Sequence, residues 1–344
     1  MYDDEGLSTK SSVDAIHLNS TLKKRVSVLD KDAHIEYLIK QMNKPLNIGY
    51  TSLVPWVSSW IANALYVILG REEFYASLNH KLSKLHDIAL QIVGLQQSNS
   101  GISPDRSQLP NLGCTYAGLV FLKVMKKDHM LDRDGIIKFI TEMKVKNGFT
   151  MYSDGEIDPR SIYCAVATYS ILHSDTISED SQFNPLSTPE GKELFGDTVE
   201  ILKSLQTYEG GFAAAPGEEA HAGYSYCVIA ALKILGVDVS EDSLLRNWLL
   251  QRQDEINKGF TGRTNKTSDS CYNFWVGASY RMLGLGIISN SGLAEYTFCN
   301  CQDENGGVKN IPESHADVYH TAYALIGLYI VNENDFNYVL GMPV

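Results

Sequence analysis

Residues 244–283 read LLRNWLLQRQDEINKGFTGRTNKTSDSCYNFWVGASYRML. The opening LLRNWLLQRQ places apolar residues at i, i+3 and i+4, the spacing of an amphipathic helix. Gly259 and Phe260 then mark a tight turn, a polar loop follows, and Phe274, fifteen positions after Gly259, opens the small apolar run FWVGASYRML. That run predicts a second, more deeply buried helix. The unit is therefore helix, glycine turn, loop, helix.

The same unit recurs in both directions along the chain. Gly101, Gly148, Gly211, Gly259 and Gly307 each sit in a short Gly-aromatic or Gly-apolar turn, at separations of 47, 63, 48 and 48. Fifteen positions after the first four come Tyr116, Tyr163, Tyr226 and Phe274, and the fifth unit has Ala322 and Tyr323 there. A period near fifty marks a repeat architecture. The one long gap is explained by residues 173–196, rich in Ser, Asp and Pro, which read as a surface insertion.

Strand signals are scarce, so the expected class is all-α. A half-dozen helical hairpins of this length can close on themselves, with residues 56–69 counted in a sixth, and the expected fold is a closed α/α toroid (an α6/α6 barrel). Residues 31–344 then form a single domain. Residues 1–30, polar and acidic, read as a disordered lead-in rather than a leader sequence.

A net charge of -12, from 29 Lys and Arg against 41 Asp and Glu, argues against nucleic acid or an anionic membrane as partner. The longest apolar run, residues 53–69, contains Ser58, Ser59 and Asn63 and falls short of a bilayer span. Six cysteines are too few for a disulfide scaffold at this length, so they are expected as reduced thiols in the cytoplasm.

In a closed ring, corresponding loops of successive units share one rim. Those loops carry Asp158 and Arg160, then His221, then Arg263, Lys266, Asp269 and Cys271, then Asp317, Tyr319 and His320. Asp269 and Cys271 are two apart, and His320 follows Cys271 by 49, one repeat plus one. Carboxylate, thiolate and imidazole thus meet between adjacent hairpins, a mixed set with room for a fourth ligand, as in catalytic zinc sites. A capping Asp, a buried Cys and a satisfied His is the plain alternative, which the repeat registration disfavours. Beside them, His221, Arg263, Lys266 and the Tyr272 hydroxyl form an island of donors suited to a diphosphate; a solvated charged loop is the alternative for Arg263 and Lys266 alone.

The stretches GFTGRTNKTSDSCYNFW (259–275), PGEEAHAGYSYC (216–227), GEIDPRSIYCA (155–165) and DVYHTAYALIGL (317–328) resemble protein prenyltransferase β subunits, over roughly residues 50–330. The resemblance implies zinc held by Asp269, Cys271 and His320, and a diphosphate held by His221, Arg263, Lys266 and Tyr272. It implies an α subunit partner, and a substrate protein whose C-terminal CaaX cysteine binds zinc as thiolate and attacks C1 of an isoprenoid diphosphate. It places the isoprenoid against Trp56, Tyr116, Arg160, Tyr163, Gly223, Cys227 and Trp275, and the peptide against Trp56, Trp60, Tyr319 and Tyr323.

Farnesyltransferases are the nearer resemblance. PWVSSW (55–60) is similar to the segment whose first tryptophan floors their lipid pocket, and Tyr319, Tyr323, QLPNLGCTYAG (108–118) and VLGMPV (339–344) lean the same way. WVGAS (275–279) and ESHAD (313–317) are closer to type I geranylgeranyltransferases. One departure stands out: Asn310 occupies the position where farnesyltransferases carry an Asp that helps bind magnesium. Weak magnesium dependence is expected, with Lys309 as a substitute. Helical toroids also host terpene cyclases and glycosidases. No DxDD acid motif is present for the first, whereas Asp158 with Asp317 could be imagined as the carboxylate pair of the second.

Overall fold

The computed structural model describes residues 29–44, 53–174, 177–178, 182–287, 289–331 and 336–344. The expected lead-in, residues 1–30, lies almost wholly outside them.

Among the described residues two kinds of helix alternate, and their sequences explain why. Six are apolar on nearly every side: α2 (Val54–Leu69), α5 (Leu112–Val124), α7 (Pro159–His173), α10 (Ala222–Ile234), α12 (Tyr272–Met282) and α14 (Val318–Ile330). A helix apolar all round must be buried all round, and these six form an inner ring in which each packs on the next and α14 returns to α2. The outer helices bury one stripe. Leu85, Ala89 and Ile92 do so in α4 (Lys84–Val93); Ile136, Phe139 and Ile140 in α6 (Arg133–Glu142); Leu245, Trp248 and Leu249 in α11 (Ser243–Leu250). α1 (Lys31–Asn43), α9 (Thr198–Lys203) and α13 (Asn290–Glu295) complete the outer layer, with short α3 (Arg71–Ser77) and α8 (Pro189–Phe195) as additions. The expected closed toroid is what the chain forms. Among the described residues, strand is confined to two-residue antiparallel pairs, such as Val308–Lys309 with Ala316–Asp317.

The repeat is visible as a recurring joint. A glutamine before each of four glycines bonds the capping residue of the next outer helix, three of them through its backbone: Gln96 to Asp132, Gln206 to Asp242, Gln253 to Ser289, and Gln302 back to Asp30. The second of these bonds is to the Asp242 carboxylate itself. The last closes the ring. Gln302 Oε1 accepts from Asp30 N at 3.2 Å and pairs with His34 Nε2 at 2.9 Å. The glycines allow that closeness. A Cβ on Gly211 would stand 2.6 Å from the Trp248 ring, and one on Gly307, at φ 88°, would meet Tyr37 at 2.9 Å.

Within the insertion, α8 buries Leu194 and Phe195, and Phe195 packs on Phe149 and Tyr169. The segment thus contributes to the core on its last turn. All six cysteines are buried free thiols. No described helix is long and apolar enough to cross a membrane.

Candidate active site

The loops ahead of the inner helices share one rim, as the repeat requires, and two of them are locked together. Ser270 N donates to Asn310 O at 3.0 Å and Ser270 Oγ to Lys309 O at 2.7 Å, which pins the 259–271 loop to the next one. Cys271 sits at the start of α12, its N–H held by Asp269 Oδ1 at 2.9 Å. His320 lies in the first turn of α14, where the capping Asp317 accepts from its N–H at 2.8 Å and from its Nδ1 at 2.6 Å. Nδ1 being taken, Nε2 faces Asp269 Oδ1 at 3.5 Å. Ligand atoms of Asp269, Cys271 and His320 all lie within 4.8 Å of one another, close enough to hold one metal ion.

The donor set suits zinc: one oxygen, one sulfur and one imidazole nitrogen, with the imidazole oriented by a carboxylate behind it. Without a cation the thiol and the imidazole retain protons. Burial, then Asp269, pushes the Cys271 thiol well above its ordinary range, with Tyr319 partly opposing. Burial lowers the His320 pKa, but Asp269 and Asp317 outweigh it and hold it at about 9.

On the adjoining rim, Gly223 N–H donates to His221 Nδ1 at 3.1 Å, so His221 Nε2 carries the hydrogen and points it at the Tyr272 hydroxyl, 3.1 Å away. Burial and then the Arg263 charge keep His221 neutral, with its pKa lowered to about 4. Burial, then Cys271 and Asp269, raise the Tyr272 phenol, which stays protonated. Its hydrogen, freed from His221, can be given to an incoming anion. Gly262 makes room for this ring, since a Cβ there would lie 2.1 Å from it. Arg263 is half-exposed and bound at 2.9 Å to the surface carboxylate of Glu219. Lys266 is exposed and makes no hydrogen bond or ion pair among the described residues. Arg160 is paired with Asp158 and lies 5.7 Å above the Tyr224 ring, which in turn tilts against His221.

Inside the rim opens a cavity of about 510 Å³, within the usual range for small-molecule sites. Its wall comes mainly from the first turns of the inner helices and includes Trp56, Trp60, Tyr116, Arg160, Tyr163, Cys227, Trp275, Tyr319 and Tyr323. Gly223 stands outside that wall, beside His221. Trp56 lies between Trp60 and Tyr116, both at 5.7 Å, and Trp275 packs on Tyr323 at 4.5 Å. The Trp275 Nε1–H donates to the Tyr319 hydroxyl at 3.1 Å, linking the cavity to the candidate metal triad.

Several residues contribute in ways the sequence did not assign to them. Tyr226 and Phe274 also line the cavity, and their place fifteen after the repeat glycine already signalled it. Asp317 holds His320; an acidic cap three residues before a histidine was the available sign. Arg252, 2% exposed, stacks on Trp248 at 4.6 Å and donates to Thr264 Oγ1 at 3.3 Å, steadying the loop that carries Arg263. Nothing in QRQ separated it from a solvated arginine. Lys309, expected near Asn310 as a magnesium substitute, is instead tied to Asp303 at 3.4 Å.

The model of the prenyltransferase alpha-alpha toroid domain matches residues 29–342. The chain belongs to this family. Among its relatives, a protein farnesyltransferase subunit beta from Schizosaccharomyces pombe is 32% identical over 86% of this chain and 76% of its own length. A geranylgeranyl transferase type-1 subunit beta from Arabidopsis thaliana is 31% identical over 68% of this chain and 63% of its own. The aligned parts cover between about half and three quarters of the relatives' lengths. A solved Candida albicans protein geranylgeranyltransferase-I complexed with GGPP has the same fold, with a TM-score of 0.75 at 20% identity over 92% of this chain and 96% of that one. The chain is thus a prenyltransferase of the β-subunit type. Identity alone does not separate farnesyl from geranylgeranyl transfer, because relatives of the two kinds are similarly identical, 32% and 31% in these two.

Proposed function

We propose that this chain is the catalytic β subunit of a zinc-dependent, cytoplasmic protein farnesyltransferase. With an α subunit, it would move farnesyl from farnesyl diphosphate to the cysteine thiol of a C-terminal CaaX motif on a substrate protein such as a small GTPase. The observation that carries this is the juxtaposition of a metal-competent triad, a rim of donors and an aromatic cavity, all delivered by consecutive hairpins. Zinc held by Asp269, Cys271 and His320 would supply activation of the substrate thiol at neutral pH. The remaining work belongs to the chain's own groups. Arg263, Lys266 and the Tyr272 hydroxyl stand where charge grows on a departing diphosphate, and His221 aims the Tyr272 hydrogen. Trp56, Tyr116, Tyr163, Cys227 and Trp275, with Arg160 at the rim, would sheathe the isoprenoid; Trp60, Tyr319 and Tyr323, with Trp56, would meet the peptide.

Farnesyl is preferred because Trp56 fills the cavity side next to Tyr116. Five further carbons are worth several kcal/mol at ~0.8 kcal/mol per buried carbon where room exists, and are repelled where a ring stands. Type I geranylgeranyl transfer is the second reading, supported by residues 275–279 and 313–317 and by the comparable identity of relatives of that kind. Hydrolysis by Asp158 and Asp317 is disfavoured, because Asp158 caps α7 and pairs with Arg160, while Asp317 caps α14 and holds His320.

Competition between farnesyl and geranylgeranyl diphosphate for the heterodimer, with a CaaX peptide as acceptor, tests this reading. Farnesyl should win in the native protein and lose its lead in Trp56→Thr; an unchanged preference in the variant would remove the tryptophan argument. Turnover is also expected to persist without magnesium, given Asn310. A collapse on chelating magnesium, restored by adding it back, would refute that.

A further inference from the structure

The outer helix α13 does not finish as an α-helix. It runs on into a π-helical turn, Tyr296–Cys301, behind which Gln302 N–H donates to Thr297 O, five residues back, at 2.9 Å. Turns of this kind are rare and occur mostly at functional sites. The change of pitch decides which side chains share a face. Residues five apart stand roughly 140° apart around an α-helix, whereas a bond spanning five residues brings them nearly over one another. Tyr296 and Cys301 are such a pair. Both are buried, and the Tyr296 hydroxyl bonds with the Cys301 thiol.

The buried face of the turn lies against the loop that carries Asp269 and Cys271. The Tyr296 hydroxyl donates to Ser268 O, the carbonyl just before Asp269, at 2.9 Å. Cys301 Sγ reaches Asn310 O at 3.9 Å, and that same carbonyl accepts from Ser270 N at 3.0 Å. Thr297 Oγ1 accepts from Asn273 Nδ2 at 2.9 Å, two residues beyond Cys271. Support therefore arrives on both sides of the two candidate ligands. Gly259 lets the tyrosine in, since a Cβ there would stand 2.6 Å from its ring. The turn is itself anchored at both ends: Ser289, ahead of α13, is tied to Gln253, and Gln302, behind the turn, to Asp30 and His34.

We propose that this π turn is a bracket for the metal-binding loop and that Tyr296 is its positioning residue, fixing where Asp269 and Cys271 stand relative to His320. Its role rests on the proposed zinc site. Hydrogen bonds behind a ligand set hold the ligands in the geometry the ion needs, and losing one typically costs about ten- to a hundredfold in metal affinity. An α-helical turn of the same sequence would carry Cys301 away from Tyr296, leaving Asn310 O without that support. The irregular pitch is thus matched to the loop it faces.

Zinc affinity of the heterodimer, measured against a competing chelator, tests this in Tyr296→Phe and Thr297→Val, each of which removes one hydroxyl and nearly keeps the side chain's shape. Tyr296→Phe should weaken zinc about tenfold and shift the visible bands of the cobalt form. Inorganic diphosphate affinity should stay native, and the metal-free protein should melt within about a few degrees of native, as for one lost hydrogen bond. Thr297→Val should weaken zinc in the same sense. Native zinc affinity and cobalt bands in both folded variants would overturn the bracket while sparing the triad. Failure of both variants to fold, or a loss of zinc affinity matched by an equal loss of metal-free stability, would also overturn it, because the turn would then serve the fold alone. A native heterodimer that takes up no zinc would overturn triad and bracket together.

Discussion

Cys271→Ala is expected to strip the metal from the heterodimer and to lower transfer to a CaaX peptide on the order of a thousandfold or more. A metal ion that stabilises a thiolate contributes several kcal/mol, and each 1.36 kcal/mol is about tenfold in rate. Cys271 is buried at the head of α12, between the Asp269 carboxylate and the Tyr319 hydroxyl. A small apolar replacement leaves the helix and its packing in place, so the variant should melt near the native temperature. Metal content and single-turnover transfer check this together. Retention of a full equivalent of metal with normal turnover would mean that the thiol is only a core residue.

Arg263→Ala should lower kcat on the order of a hundred- to a thousandfold, the usual loss when one preorganised donor to a developing oxyanion is removed. Stability should change by no more than about 0.5 kcal/mol, as for most surface substitutions. The contrast follows from the side chain's present partner. Arg263 is held by Glu219 in a half-exposed pair, of a kind worth little to the fold, and so is free to turn to a diphosphate. Pre-steady-state transfer alongside denaturant unfolding separates the two effects. A variant that loses stability in proportion to rate would instead make Arg263 a structural residue.

The fold was legible because the repeat is carried by residue types with few substitutes. Gly211 and Gly307 must let an aromatic ring of the next outer element approach, and the fifteen-residue offset to the inner helix follows from a loop of constant length. The candidate metal triad was legible for the same reason. Registration placed Asp269, Cys271 and His320 in adjacent hairpins before any distance was known, and their ligand atoms lie within 4.8 Å.

What escaped the sequence was contact that registration does not encode. Arg252 looks like any arginine in a polar stretch, and only the tertiary fold buries it under Thr264. Lys309 was read as a magnesium substitute from its adjacency to Asn310, yet its ammonium goes to Asp303. The hairpin that pairs Phe336–Asn337 with Met342–Pro343 had no periodic signature, because its place is set by tyrosines over a hundred positions earlier. The partial packing of the insertion through Phe195 was hidden by its Ser, Asp and Pro content.

Cobalt substitution examines the central claim most directly, since a cobalt-bound thiolate absorbs in the near ultraviolet and tetrahedral coordination in the visible. The heterodimer is expected to take up one cobalt per β chain, with a thiolate band that Cys271→Ala abolishes and coordination that His320→Ala disrupts. A bound ion whose spectrum is indifferent to both substitutions, or undiminished transfer by fully metal-free protein, would contradict the site proposed for Asp269, Cys271 and His320.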